Sequence, residues 1–326
     1  MTNCIDPNDV RIFAGRSHPQ LAAHIAEHLQ IPLDPTKCAR FSNDNLFVQL
    51  GMPVRGRTVF LVQSLIPPVS DNLLELLMMA DIARSAAAFE IHAVIPYFSY
   101  ARSDKKDAPR ISITARLIAD LLKTAGATHV LTMTLHSPQV HGFFSVPTDP
   151  LTSRPLFVKY FRERELNPNE SIVVAPDLGR AKSTARFAAE LGLNVATADK
   201  VRISDDEVTI RGLVGRQVSG FRHAMIYDDE IATGGSVAEL SKLLVASNIK
   251  EITVICTHGL FTGRALERLG EIRQITEIVT TDTVPIPPEK RPPHMTVLSV
   301  APVFAEAISR NLMRESLSGL FAYAED

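Results

Sequence analysis

Asp228 and Asp229 are neighbours, and after Glu230-Ile231-Ala232 they are followed by Thr233-Gly234-Gly235-Ser236. Adjacent carboxylates accept hydrogen bonds from a diol or hold a hard cation. A Thr-Gly-Gly-Ser turn offers backbone N–H groups and hydroxyls to a phosphate at a helix N-terminus. A sugar phosphate has both ends. No lysine follows the glycines, so this is not the nucleotide-binding pattern G-x-x-x-x-G-K-[ST]. An ordinary strand-to-helix turn with acidic caps would use the same letters, and the paired acids beside the cradle favour the ligand.

Four further groups could join that chemistry. The loop from Tyr100 to Arg110 carries Arg102, Lys105, Lys106 and Arg110; it reads equally as a solvated surface loop or as a clamp for polyphosphate. His136 follows the apolar run Val130 to Leu135, where a lone histidine serves structure or, at a strand end, a metal or phosphate. Asp177 sits in Pro176-Asp177-Leu178-Gly179-Arg180, a carboxylate and glycine turn between strand and helix, suited to a Mg²⁺ that also takes substrate phosphates. Lys200 and Arg202 leave the apolar run Val195 to Ala198 for the polar stretch Ser204 to Glu207. As surface charges they do nothing; on a mobile loop they would neutralise a transferring group.

These residues need elements to hold them. Apolar runs alternate with helical periodicity along the whole chain. Strands are expected at Arg11 to Ala14, Val59 to Val62, Ile91 to Phe98, Val130 to Leu135, Ile172 to Val174, Val195 to Ala198, the run ending at Asp228, Ile252 to Cys256, Ile278 to Thr281 and Val297 to Val300. Helices are expected at Pro19 to Leu29, after an Asp71 cap, at Thr114 to Leu122, Pro155 to Arg162, Ala181 to Leu191, from Val237, and at Phe304 to Met313. Such alternation predicts an α/β fold of parallel sheets flanked by helices. Val59 to Val94 and Met225 to Val254 repeat one strand–loop–helix–strand unit, and only the second carries the acid pair. Two related domains follow, residues 1–150 and 151–303, with the helix at about 304–318 completing the first.

The composition bounds the function. Lys and Arg number 34 against 36 Asp and Glu, a net charge of −2, which leaves no footprint for nucleic acid or an anionic membrane. No apolar stretch approaches ~18 residues, so no membrane span is expected. The opening residues, with Asp6, Asp9 and Arg11, lack a signal-peptide core. Cys4, Cys38 and Cys256 are odd in number and widely spaced, and read as free thiols of a cytoplasmic protein.

The acid pair and cradle resemble the phosphoribosyl-diphosphate loop shared by phosphoribosyltransferases and ribose-phosphate pyrophosphokinases. The resemblance to the latter family extends over nearly the whole chain. Its residues here are Ile12 to Gly15 with Ser17-His18, Phe41-Ser42-Asn43, Val54-Arg55-Gly56, Val62-Gln63-Ser64 and Asp71 to Leu77. It continues through Pro96 to Lys106, Leu131 to Phe144, Pro176-Asp177, Lys200 with Arg202, Thr257-His258-Gly259 and Glu315 to Ser318.

That resemblance implies two phosphoribosyltransferase-like domains. It implies transfer of the diphosphoryl group of MgATP to the 1-hydroxyl of ribose 5-phosphate. Asp228 and Asp229 would hold the ribose diol and a Mg²⁺ there, and Thr233, Gly234, Gly235 and Ser236 the 5-phosphate. ATP would meet Phe41, Asn43, Asn45, Arg102, Ser103 and His136. His136 and Asp177 would lie at the Mg²⁺ site, and Lys200 and Arg202 would be catalytic. A cytoplasmic homo-oligomer, hexamer or dimer, is implied too. The chain departs from the family pattern at Asn45, Pro53, Thr134 and Ala232. Those departures motivate an alternative, a catalytically weak regulatory relative that associates with an active subunit; the retained charged residues oppose it.

Overall fold

The computed structural model describes residues 8–202, 208–215 and 218–321. Cys4 lies outside the described residues, as do the side chains of Lys200 and Arg202. In chain order the elements begin β1 (Val10–Ala14), α1 (Pro19–Leu29), β2 (Leu33–Asp34), β3 (Thr36–Arg40), β4 (Leu46–Leu50), β5 (Thr58–Val62), α2 (Val69–Ser85) and β6 (Glu90–Ile95). Next come α3 (Thr114–Ala125), β7 (His129–Met133), β8 (Thr148–Leu151), α4 (Arg154–Arg162), β9 (Ser171–Ala175), α5 (Ala181–Glu190), β10 (Asn194–Arg202) and β11 (Val208–Gly215). The chain ends with β12 (His223–Ile231), α6 (Gly235–Ala246), β13 (Glu251–Gly259), α7 (Ala265–Gly270), β14 (Ile275–Thr281), β15 (Met295–Leu298) and α8 (Ala301–Met313). They form two compact units: Met1–Thr152 with Thr283–Pro285 and Ser299–Asp326, and Ser153–Asp282 with Ile286–Leu298.

The first unit holds a parallel sheet ordered β2-β1-β5-β6-β7-β8. Phe13, Leu61 and Val130 of the sheet bury one face against Leu76 of α2 and Ile118 and Leu122 of α3. The order changes direction between β1 and β5, where such sheets bind ligands. Here that crevice is filled. Gln63 Oε1 accepts from Ser17 N and Oγ at 3.1 and 2.6 Å, and the buried Glu75 takes Arg16 N and Nε, both at 2.6 Å. A Cβ on Gly15 would lie 2.3 Å from Gln63 Oε1, so a larger residue there would displace the Gln63 amide from its bonds to Ser17. The β3–β4 hairpin is a separate two-stranded antiparallel sheet.

Two local expectations shift. α2 begins at Val69, ahead of Asp71, with Pro68 at the cap and no side-chain cap bond. The Asp71 carboxylate is paired with Arg40 instead. β7 stops at Met133, short of Leu135, because Thr134 takes φ 43°, a left-handed turn that ends the extended backbone.

The second unit carries a sheet ordered β11-β10-β9-β12-β13-β14-β15, parallel except for β11. Alternate residues face opposite sides. Ile172, Val174, Ile226 and Val254 pack with Leu240 and Leu244 of α6, while Val173, Met225, Tyr227 and Ile255 pack with Phe157, Phe161 and Phe187. Burial on both faces explains why these strands read as continuous apolar runs. β10 runs on through Lys200 to Arg202 and pairs antiparallel with β11. The polar loop expected to start at Lys200 is thus strand, and Val208–Gly215 is a strand that short-range periodicity did not reveal. Among the described residues no helix is long and apolar enough to cross a membrane.

Candidate active site

In the second unit the strand order changes direction between β9 and β12, and both carry carboxylates at their C-terminal ends. β12 does not stop at Asp228. It continues to Ile231, but its register with β9 ends at Ile226↔Val174 while that with β13 runs to Ile231↔Gly259. The last residues of β12 are therefore open on the β9 side. Asp228 Oδ1 accepts from Asp229 N at 2.8 Å. Burial, then the neighbouring Asp229 charge, pushes the Asp228 carboxyl well above the usual carboxylate range, and Arg180 pulls it partly back.

The cradle follows directly. Gly234 occupies the cap position of α6 with φ 71° and ψ 2°, a left-handed conformation open to glycine at little cost. It lets Thr233 turn outward and α6 begin at Gly235, directing the first-turn amides of Gly235 and Ser236 away from the helix's own carbonyls. The turn is backed from behind. Thr262 N donates to Ala232 O at 2.9 Å, and Arg268 Nη1 of α7 donates to Thr233 O at 2.9 Å.

Asp177 ends the chain segment leaving β9. Its Oδ1 accepts from Arg180 N at 3.1 Å, capping a short 3-10 turn over Leu178–Arg180. The Arg180 side chain then crosses to β12, with Nη2 3.0 Å from Asp229 Oδ2; Asp229 is only 4% exposed. So one arginine joins the Asp177 turn to the acid pair. Sequence reading singled out Asp177 in Asp-Leu-Gly-Arg and passed over Arg180. Arg268 left no local signal, being far from Thr233 along the chain.

Of the remaining candidates, Lys200 and Arg202 lie in β10 of the second unit and the others belong to the first. Phe41, Asn43 and Asn45 lie on the exposed tip joining β3 to β4, where Phe41 is 55% exposed and packs its ring 5.6 Å from Phe47. The tip is closed by Phe41 N donating to Asn45 O and Asp44 N donating to Phe41 O, both at 2.9 Å, and Asn43 Oδ1 accepts from Asn45 N at 3.3 Å. Arg102 is exposed at the end of a 3-10 turn, Ser99–Arg102. The Ser103 hydroxyl straps the loop that follows, donating to Ser112 O at 3.3 Å and accepting from Thr114 N at 3.2 Å. His136 is half-buried beyond the left-handed Thr134.

Carboxylate oxygens suit Mg²⁺, which needs only one or two of them beside phosphates and water. Asp177, Asp228 and Asp229 supply that donor type at the ends of β9 and β12. Among the described residues no three His, Cys, Asp or Glu side chains form a ready-made cage. A cavity of about 460 Å³ opens at the opposite, amino ends of β12 to β15, lined by Arg164, His223, Glu251, Thr253, Glu277 and Thr296 among others. It shares no residue with the loops above.

Residues 10–126 match the family model described as the N-terminal domain of ribose phosphate pyrophosphokinase, and residues 203–322 one described as the phosphoribosyl synthetase-associated domain. A putative ribose-phosphate pyrophosphokinase of Streptomyces coelicolor is 50% identical, covering 96% of this chain and 98% of its own. A ribose-phosphate pyrophosphokinase of Deinococcus radiodurans is 44% identical over 95% and 97%. The crystal structure of phosphoribosylpyrophosphate synthetase from Mycobacterium smegmatis superposes with a TM-score of 0.86 at 35% identity, covering 94% of this chain and 99% of that one.

Proposed function

The chain belongs to the ribose-phosphate pyrophosphokinase family, and from that membership we propose how its residues share the reaction. The enzyme transfers the diphosphoryl group of ATP to the 1-hydroxyl of ribose 5-phosphate, giving 5-phosphoribosyl 1-diphosphate and AMP. The O1 oxygen bonds to the β-phosphorus, the bond from that phosphorus to the α–β bridging oxygen breaks, and AMP leaves with that oxygen while the hydroxyl proton is released. Positioning and charge neutralisation do most of this work.

Residues 151–303 hold the sugar phosphate. Thr233, Gly234, Gly235 and Ser236 take the 5-phosphate, and Asp228 and Asp229 accept the ribose hydroxyls. The observation that carries this assignment is a left-handed Gly234 opening α6 immediately after an acid pair at a strand end. Residues 1–150, with the C-terminal helix, hold the nucleotide. Phe41 offers its exposed ring to the adenine face, Asn43 and Asn45 meet its edge, and Arg102, Ser103 and His136 meet the phosphates. A bound Mg²⁺ would supply positive charge to those phosphates, and family membership assigns Asp177 and His136 as the residues that would hold it. Lys200 and Arg202 stabilise the charge that develops at the β-phosphorus. Cytoplasmic residence and a homo-oligomer, hexamer or dimer, belong to the same reading and rest on family membership.

Purified protein incubated with ribose 5-phosphate and MgATP should release AMP and 5-phosphoribosyl 1-diphosphate in equal amounts. Lys200→Ala and Arg202→Ala should each lower kcat by ~10²-fold with KM for both substrates little changed. Release of ADP in place of AMP, or no turnover without an added active subunit, would overturn the reading.

A further inference from the structure

The Asp229 carboxylate is almost wholly withdrawn from water, and a carboxylate held that way needs a counter-charge close by. Arg180 provides one at 3.0 Å. The arginine is held at its root as well as its tip. Its backbone N–H is committed to Asp177, to the carboxylate at 3.1 Å and the carbonyl at 3.2 Å, and α5 starts at the next residue. The guanidinium therefore reaches β12 from a fixed turn at the topological switch of the sheet, not from a loose surface chain. Its own side chain is 13% exposed, so the attraction is little screened by solvent.

A sugar phosphate entering this loop brings a further negative charge toward the buried Asp229 carboxylate. With nothing between them, such a site needs a divalent cation before the ligand can settle. We propose that Arg180 is a substrate-positioning residue that supplies this charge permanently, so that ribose 5-phosphate binds to the acid pair and cradle without a divalent cation. Metal is then required for the nucleotide and not for the sugar. The proposal rests on the assignment of ribose 5-phosphate to Asp228, Asp229 and the Thr233–Ser236 turn. The arginine acts through Asp229, holding its carboxylate at 3.0 Å and fixing the direction in which it can accept a hydrogen bond. Removing the guanidinium leaves a buried charge uncompensated, and the site must then recruit an outside cation.

Calorimetric titration of the full-length protein with ribose 5-phosphate, in saturating Mg²⁺ and again in excess chelator, tests this without turnover. Wild type should bind with an affinity that changes less than about threefold when metal is removed, whereas Arg180→Gln should weaken by about tenfold or more in chelator and recover most of that in Mg²⁺. Arg180→Lys keeps the charge and should stay metal-independent, which separates lost charge from lost folding. A wild type that itself needs Mg²⁺ to bind ribose 5-phosphate, or an Arg180→Gln that binds equally well in chelator, overturns the proposal. Ser236→Asp tests the underlying assignment. If it leaves binding unchanged, the sugar phosphate does not occupy the turn and both readings fall. If it abolishes binding while Arg180→Gln shows no metal effect, only the role of Arg180 falls.

Discussion

Arg268 Nη1 donates to the carbonyl oxygen of Thr233 at 2.9 Å, so an arginine of α7 grips the outer side of the turn proposed to receive the 5-phosphate. The bond holds the Thr233–Gly234 peptide with its oxygen away from the cradle. Losing one such hydrogen bond at an exposed position is worth about 1 kcal/mol, or roughly fivefold in affinity. Arg268→Met is expected to raise KM for ribose 5-phosphate by about that factor while kcat and KM for ATP hold. An unchanged KM for the sugar phosphate would show that the turn keeps its shape without α7.

Thr134 has φ 43°. A β-branched residue in that region is strained by about 1–2 kcal/mol, and asparagine tolerates it far better. The Thr134 N–H bond to Leu151 O, at 2.9 Å, survives any substitution but proline. Thr134→Asn is therefore expected to raise the unfolding free energy by about 1 kcal/mol in urea titration. A lower midpoint would mean that the threonine hydroxyl contributes more than the strain takes away.

A buried histidine pair predicts a pH dependence of stability. His92 Nδ1 lies 2.8 Å from His129 Nδ1, and the outer nitrogens face Glu90 at 3.2 Å and Asp149 at 2.9 Å. His92 also stacks on Phe60, its ring centroid 4.4 Å away, and Asn311 Nδ2 of α8 donates to Asp149 at 3.2 Å. Burial, then the His129 charge, lowers the His92 pKa to about 4, with Glu90 and Asp149 pulling the other way. The unfolded chain takes up this proton as pH falls below ~6.5, and the folded chain not until about pH 4. Protons thus favour the unfolded state across that window. Stability should be full above it and fall by about 3 kcal/mol on descending through it. His92→Asn places an amide oxygen near the Nδ1 position and does not titrate. It should be less stable at neutral pH, having lost the ring contact, yet flatter between pH 6.5 and 4. Parallel profiles for variant and wild type would remove His92 as the cause.

Asn45 concerns the phosphoryl donor. It sits on an exposed hairpin tip beside Phe41, and its amide can present either a donor or an acceptor to a purine edge. A carboxylate would repel a 6-keto purine; an amide need not. Discrimination between ATP and GTP is expected to be modest, and Asn45→Glu should sharpen it by roughly ten- to a hundredfold in kcat/KM. A wild type already selective by more than ~10³-fold, with no gain in the variant, would contradict this.

What the sequence carried was local. Alternating apolar runs gave the α/β class because strands buried on both faces are continuously hydrophobic, as Ile172–Val174 and Met225–Tyr227 show. The acid pair and the Gly234 turn were legible because a strand end, a left-handed glycine and a helix start are neighbours in the chain. Period-based reading missed the β3–β4 hairpin, whose residues alternate weakly, and β11, where the alternation from Val208 to Arg211 is cut short at Gly212. It also ended β10 too early, since strand pairing, not side-chain pattern, extends it to Arg202.

Contacts between distant residues were decided by tertiary structure alone. No spacing rule links Arg180 to Asp229, Arg268 to Thr233 or His92 to His129. Each pair meets because parallel strands and their crossover helices bring together segments dozens of residues apart, and the order of strands in the sheet determines which ends become neighbours. The chain's letters name the groups that can do the chemistry; the switch in strand order between β9 and β12 determines which cation faces which acid.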